Sequence, residues 1–154
     1  MQFLESLSQT SLILWVAESN YGYPIVLTLH SLGMALVVGI MLVADLRVVG
    51  VAKTIPFSLL RQFFLFAWIG LGINAASGTL LFLANYSAFL TNTAFITKIV
   101  LLIIAAVLTV FMNRSISDDN NISKLAKILA VVCILLWLGA TTAGRIVGYT
   151  SVPF

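Results

Sequence analysis

Four long apolar runs separated by short polar interruptions dominate the chain. They cover about residues 24–49, 58–83, 94–113 and 122–148. A hydrocarbon core of ~30 Å needs about 20 mostly apolar residues in a helix, so each run is long enough to cross a bilayer. Backbone polar groups have to be satisfied within such a segment, which makes the runs helices. The interruptions mark their ends. Pro24 falls at the first helical position of the first run, Pro56 precedes the second, and Asn85 and Tyr86 follow it. Asn121 or Ser123 is placed to cap the fourth, after a short polar turn over residues 118–121. The pattern predicts an all-α fold: a four-helix transmembrane bundle forming a single domain over residues 1–154.

Residues 2–19 follow a different rule. Phe3, Leu4, Leu7, Leu12, Leu14 and Trp15 are interspersed with Gln2, Glu5, Ser6, Ser8 and Gln9. This predicts an N-terminal helix lying along the membrane interface, anchored by Trp15, Tyr21 and Tyr23. Small residues at i, i+4 spacing mark the faces where helices are expected to approach closely, within the bundle or between protomers. These are Ala35 with Gly39, Gly72 with Ala76, and Ala140 with Gly144 and Gly148.

Composition sharpens this picture. The chain is 61% hydrophobic and 8% charged, with a mean hydropathy of +1.12. So few charges cannot solvate a water-exposed surface, and the lipid bilayer is the expected surrounding. The net charge of +3 does not point to nucleic acid, because the basic residues form no stripe or run. They do orient the chain. Arg47, Lys53 and Arg61 lie between the first two runs, and Arg114, Lys124 and Lys127 between the last two. Only Lys98 and Arg145 lie on the opposite side. The positive-inside rule then puts both connections in the cytoplasm and both termini outside. Residues 1–46 contain no Lys or Arg, so the positive segment of a secretory signal is missing and the first apolar helix is expected to be retained. Cys133 is the sole cysteine and His30 the sole histidine. No disulfide within the chain and no closed zinc site of Cys and His ligands can be assembled from them. No G-x-S-x-G, Walker or dinucleotide-binding sequence is present.

His30 is therefore the centre of any chemistry. It sits inside the first run, roughly 9 Å below the helix start at 1.5 Å per residue. An ionisable side chain at membrane depth is a functional-site hypothesis by default. Imidazole serves as metal ligand, axial haem ligand or proton relay, and it also serves as a hydrogen-bonded link between helices. Met34, Val37 and Met41 continue along its face. Lys98 and Arg145 lie at comparable depth on the outer side. Lys98 reads either as snorkelling to headgroups or as a partner for an anion. Arg145, set among small residues, suits a carboxylate, either Glu18 or a haem propionate. Asn74 shares a face with Gly70, Ser77 and Leu81, where it bonds a neighbouring helix or borders a flat macrocycle. Asp45 and Arg47 are expected to form a helix-end ion network with Arg61 or Arg114.

One resemblance follows from these residues. Trp15, Glu18, Tyr21, Tyr23 and Pro24 precede Leu29-His30 and Gly33, then Gly39, Asp45-Leu46-Arg47 and Gly50. With Phe95, Lys98 and the Gly144-Arg145 to Gly148-Tyr149 stretch, this resembles a widespread bacterial family of small four-helix membrane proteins of unassigned function. More remotely, Leu29-His30 followed by glycine is similar to the copper-resistance D family and to the four-helix membrane protoporphyrinogen oxidases, which bind b-type haem. The oxidases' aromatic, Leu-Pro-Arg-like continuation is replaced here by Ala44-Asp45-Leu46-Arg47, and a bis-histidine pattern is absent.

The resemblance and the residues together imply one heme b near the outer leaflet of a bacterial inner membrane. His30 would be its axial ligand, Lys98 and Arg145 would hold its propionates, and Asn74 and Met34 would border it. The expected role is electron transfer or small-ligand binding, with a quinone or redox partner. Porphyrin or quinone oxidation at the same pocket is the alternative, so whether the chain is an enzyme stays open. A cofactor-free structural subunit or small-solute permease is a further one. The small-residue face of the fourth run, turned from an inward-pointing Arg145, predicts a closed homo-oligomer, a dimer or trimer.

Overall fold

The computed structural model describes residues 2–115 and 122–150, with the side chains of Gln2, Phe3, Arg61, Asn113, Arg114 and Ser115 outside that description. The expected turn at 118–121 and the cap at Asn121 lie outside the described residues. Every regular element described is a helix: α1 (Gln2–Ser8), α2 (Ser11–Glu18), α3 (Gly22–Val49), α4 (Phe57–Ala84), α5 (Tyr86–Thr91), α6 (Thr93–Ser115) and α7 (Lys124–Thr150). Four of them, α3, α4, α6 and α7, are long and apolar enough to cross a membrane. The fold is the expected all-α, multi-pass one, with span ends within two residues of those read from the sequence.

The N-terminal segment differs in detail. It forms two short helices, because Thr10 takes an extended conformation between them. The Thr10 and Ser8 hydroxyls turn back onto the carbonyls of Leu7 and Glu5, the local bonding that makes Ser and Thr poor helix interiors. A second break separates α2 from α3, where the Ser19 hydroxyl accepts from the backbone N–H of Tyr21 and Gly22. Gly22 is required there: a Cβ would collide with the Trp15 carbonyl. Helix α3 starts at Gly22, so Pro24 sits within the first turn, where its missing N–H costs no bond.

The chain divides into two compact units, Met1–Val37 with Phe66–Thr91, and Val38–Leu65 with Asn92–Phe154. In the first, α3 and α4 run antiparallel. Val26 of α3 and Leu81 of α4 pack with Val16 of α2 in one apolar cluster. Further along, Gly33 meets Gly70. A Cβ on Gly33 would lie 2.9 Å from both the Gly70 carbonyl oxygen and the Asn74 nitrogen, so the two backbones are in contact. Within the chain this crossing, and not the small-residue pairs, brings α3 and α4 together. Ala35, Gly72 and Ala76 are exposed, and a Cβ on Gly72 would meet nothing within 4 Å. The reason is phase. The buried positions Val26, Gly33 and Val37, with the half-buried His30, and Gly70, Ser77 and Leu81, with the half-buried Asn74, recur at alternating spacings of four and three. That is the period of a helix–helix seam, and a small residue helps only if it falls on the seam.

In the second unit α6 and α7 form an antiparallel hairpin. Its inner face on α7 is Ala126, Ala130, Cys133, Trp137, Ala140, Ala143 and Val147. The Ser123 hydroxyl caps this helix by accepting from the Ala126 N–H at 3.1 Å. Asn92 ties the hairpin's open end: its Oδ1 accepts from Phe95 N–H at the start of α6, and its Nδ2 donates to the Thr150 hydroxyl at 2.8 Å. The C-terminal half of α3 joins this unit through a cluster of Val48, Met112, Ala126 and Ala130. Helix α3 then ends at Gly50, whose φ of 104° is a left-handed value that favours glycine.

Candidate functional site

His30 and Asn74 are brought together in the first unit, one turn from the Gly33–Gly70 crossing. Each side chain bonds the other residue's backbone. The Asn74 Nδ2 donates to the His30 carbonyl at 2.9 Å, and the His30 Nδ1 lies 3.0 Å from the Asn74 carbonyl oxygen. A backbone carbonyl only accepts, so Nδ1 carries the proton. The Ser77 hydroxyl oxygen, 3.2 Å from Nδ1, fits the same assignment, because Ser77 spends its own proton on the Ile73 carbonyl at 2.6 Å. In the neutral ring, the lone pair is then on Nε2. Gly78 faces the ring edge: a Cβ there would stand 3.0 Å from Cε1. The sequence shows why these groups meet. Asn74, Ser77 and Gly78 occupy one face of α4, and the Asn74 carbonyl comes within reach of the His30 ring because Gly33 and Gly70 draw the backbones together.

Met34 lies one turn along α3 from His30 and is half-buried. Lys98 and Arg145 belong to the second unit. Lys98 is 8% exposed, and its Cδ, Cε and Nζ pass against Gly144, at 3.3–3.4 Å from where a Cβ would be. Arg145 does not point inward. It is exposed, with its guanidinium 5.5 Å from the Tyr149 ring centroid. The inner face of α7 carries Ala140, Ala143 and Val147 instead, and Arg145 falls on the opposite phase. Of the small-residue face expected to meet another protomer, Ala140 is buried and Gly144 is covered by Lys98 within the chain. Gly148 stays open.

The partners expected for an ion network at the end of α3, the side chains of Arg61 and Arg114, lie outside the described residues. Arg47 donates through Nε to the Ile55 carbonyl at 2.6 Å and stacks 4.5 Å over the Phe57 ring. Both Asp45 carboxylate oxygens are buried without a hydrogen-bond partner. Asp45 and Arg47, two residues apart in sequence, stand some 200° apart around a helix at 3.6 residues per turn, so they face different surroundings.

Among the described residues, no three of His, Cys, Asp and Glu come together as a closed metal site requires. The His30 ring is held through Nδ1–H by the Asn74 carbonyl, the kind of bond that orients metal-binding histidines. A family model described as a family of unknown function (DUF6644) matches residues 4–150. No curated protein and no solved structure matches the chain.

Proposed function

The chain belongs to this DUF6644 family, and we propose that it is a membrane protein holding one b-type haem on His30. The observation that supports this reading is the Nδ1–H bond to the Asn74 carbonyl. Metal-ligating histidines almost always donate their other ring N–H to a carbonyl, carboxylate or water, which sets the tautomer and directs the ligating nitrogen. Asn74 and Ser77 would orient the ring, Gly78 would leave room at its edge, and Met34 would border the same face. When bound, the haem would supply one-electron chemistry or an open position for a small ligand. The remote likeness to the copper-resistance D family and to haem-binding membrane oxidases is in keeping with this role.

The six-to-two distribution of basic residues supports a bacterial cytoplasmic membrane with both termini outside, and hence His30 in the outer leaflet. A C-terminal reporter active only in the periplasm tests the orientation.

The reciprocal His30–Asn74 bonds favour a second reading, in which the pair is a cofactor-free pin between α3 and α4. Spectra of the purified protein, oxidised and reduced, after expression with adequate haem supply, separate the two. A Soret band lost in His30→Ala supports the haem site. Absence of the band, with a destabilised His30→Ala variant, supports the pin. Turnover of protoporphyrinogen or a quinol by the haem-loaded protein would extend the first reading to an enzyme.

A further inference from the structure

A second polar locus lies in the other unit, independent of His30. The apolar cluster there joins Val48 of α3, Met112 of α6 and Ala130 of α7. One helical turn away from that end, the same faces carry Asp45, Thr109 and Cys133. All three are buried, Asp45 and Cys133 at 0% exposure and Thr109 at 4%. The Thr109 hydroxyl reaches the Cys133 sulfur at 4.0 Å. One layer further along α7, the buried Trp137 has an indole N–H without a partner. The three helices thus enclose a carboxyl group that accepts no hydrogen bond and a donor that makes none.

An ionised carboxylate left so in a low-dielectric interior is heavily penalised, and such groups neutralise instead. A hard metal cation is poorly served here. It takes about six or more oxygens, whereas this layer offers the two of Asp45 and the one of Thr109, the helix carbonyls being engaged within their helices. A proton needs a single oxygen. Nor does a neighbouring side chain among those described supply compensating charge. Arg47 is committed to Ile55 and Phe57, and Lys124 and Lys127 on α7 are exposed. Lys98 lies about three turns along α6 from Thr109, and the side chains of Arg61 and Arg114 fall outside the described residues. Cys133 is the other titratable group facing the layer.

We propose that Asp45, with Thr109 and Cys133 beside it, is a buried proton-binding site within the α3–α6–α7 packing. It holds the carboxyl as a neutral acid at neutral pH, and the carboxylate form takes up one proton to regenerate it. Loss of the proton leaves a bare charge between the helices, so proton release is tied to loosening of this packing or to water entering it.

Infrared spectroscopy of the full chain in lipid bilayers at neutral pH tests this. The expected result is a carbonyl-stretch band of one protonated carboxylic acid that shifts on 13C-aspartate labelling. The chain has three aspartates, Asp45, Asp118 and Asp119. The band should survive Asp118→Asn with Asp119→Asn and vanish in Asp45→Asn. The Asp45→Asn protein, carrying a neutral isostere of the acid, should unfold at the wild-type midpoint. No such band in the wild type overturns the proposal, and because that result needs no variant it stands even if Asp45→Asn does not fold. A stoichiometric metal ion in the purified wild type that is lost in Cys133→Ser also overturns it. Neither outcome depends on whether haem binds at His30.

Discussion

Replacing Gly33 by alanine should separate α3 from α4 at their point of closest approach. The new Cβ would lie 2.9 Å from the Gly70 carbonyl oxygen and 2.9 Å from the Asn74 nitrogen. Both are backbone atoms of a helix and cannot swing aside as a side chain would. Ordinary contact for a Cβ begins near 3.4 Å, so the helices must part by about 0.5 Å, a gap that already forfeits about a quarter of each dispersion contact along the seam. Overpacking of this kind costs about 1–3 kcal/mol. The same displacement stretches the His30–Asn74 bonds from 3.0 and 2.9 Å toward the limit of hydrogen bonding, and interhelical bonds in membranes contribute about 0.6 kcal/mol each. The expected loss is about 2–4 kcal/mol. Equilibrium unfolding in mixed micelles measures it, with Gly39→Ala and Gly72→Ala as controls, since a Cβ at either glycine meets nothing within 4 Å. Those two should be neutral or slightly stabilising, alanine being the better helix former by about 0.8–1 kcal/mol. If Gly33→Ala and Gly72→Ala shift the midpoint equally, the close crossing is wrong.

Three further changes probe the second unit by the same unfolding measurement. Ser123→Ala removes the hydroxyl that caps α7 and should cost about 1 kcal/mol, with Ser123→Asp restoring most of it. Arg47→Lys keeps the charge but loses the Nε bond to Ile55 and the flat stack on Phe57, for about 1–3 kcal/mol; an unchanged midpoint would mean the turn does not depend on the guanidinium. Gly144→Ala meets only the flexible methylenes and amine of Lys98 and should cost under about 1 kcal/mol, whereas Gly144→Leu must displace Lys98 and should cost about 1–3 kcal/mol.

Much of the architecture was legible because the bilayer imposes a length and an apolarity on each span. Pro56, Asn85 and Ser123 then located helix ends to within a residue or two. The helix faces were less legible. Ala35 with Gly39 and Gly72 with Ala76 have the right spacing for close packing, but in a helix apolar all round nothing in the spacing says which side meets a partner. Gly33 and Gly70 meet because they share the phase of His30 and Asn74. In lipid, polar side chains are the surer guide to the buried seam, since they must find partners there. The link from Asn74 to a neighbouring helix was readable on that ground. The exposure of Arg145 was not, because its identity suited a carboxylate while its phase, set by Ala140, Ala143 and Val147, took it to the other side of α7. The unmet carboxyl of Asp45 was not legible, because the sequence offered basic partners at the same helix end and did not say that the carboxyl faces the apolar packing of Val48, Met112 and Ala130.

The two polar loci differ in a way that bears on what each can do. At His30 the donors and acceptors given by Asn74 and Ser77 are matched, and the ring is held in one tautomer by the Asn74 carbonyl, which cannot move without disturbing α4. A matched network of this sort fixes geometry, and in hydrocarbon its members have no water to turn to. Its value to a ligand is orientation: a ring so held loses little freedom on binding at Nε2. At Asp45 the matching fails, with two acceptor oxygens and, one layer away, the Trp137 donor left without partners. A fold that buries an unmatched carboxyl among Val48, Met112 and Ala130 gives up stability that an apolar residue of similar size would keep. Such a cost is offset if a species from outside completes the site, and a proton is the smallest one able to do so. Asp45→Leu, which removes the unmet group while filling its volume, should therefore raise the unfolding midpoint above that of the wild type, whereas a fall below it would mean that the carboxyl is already satisfied.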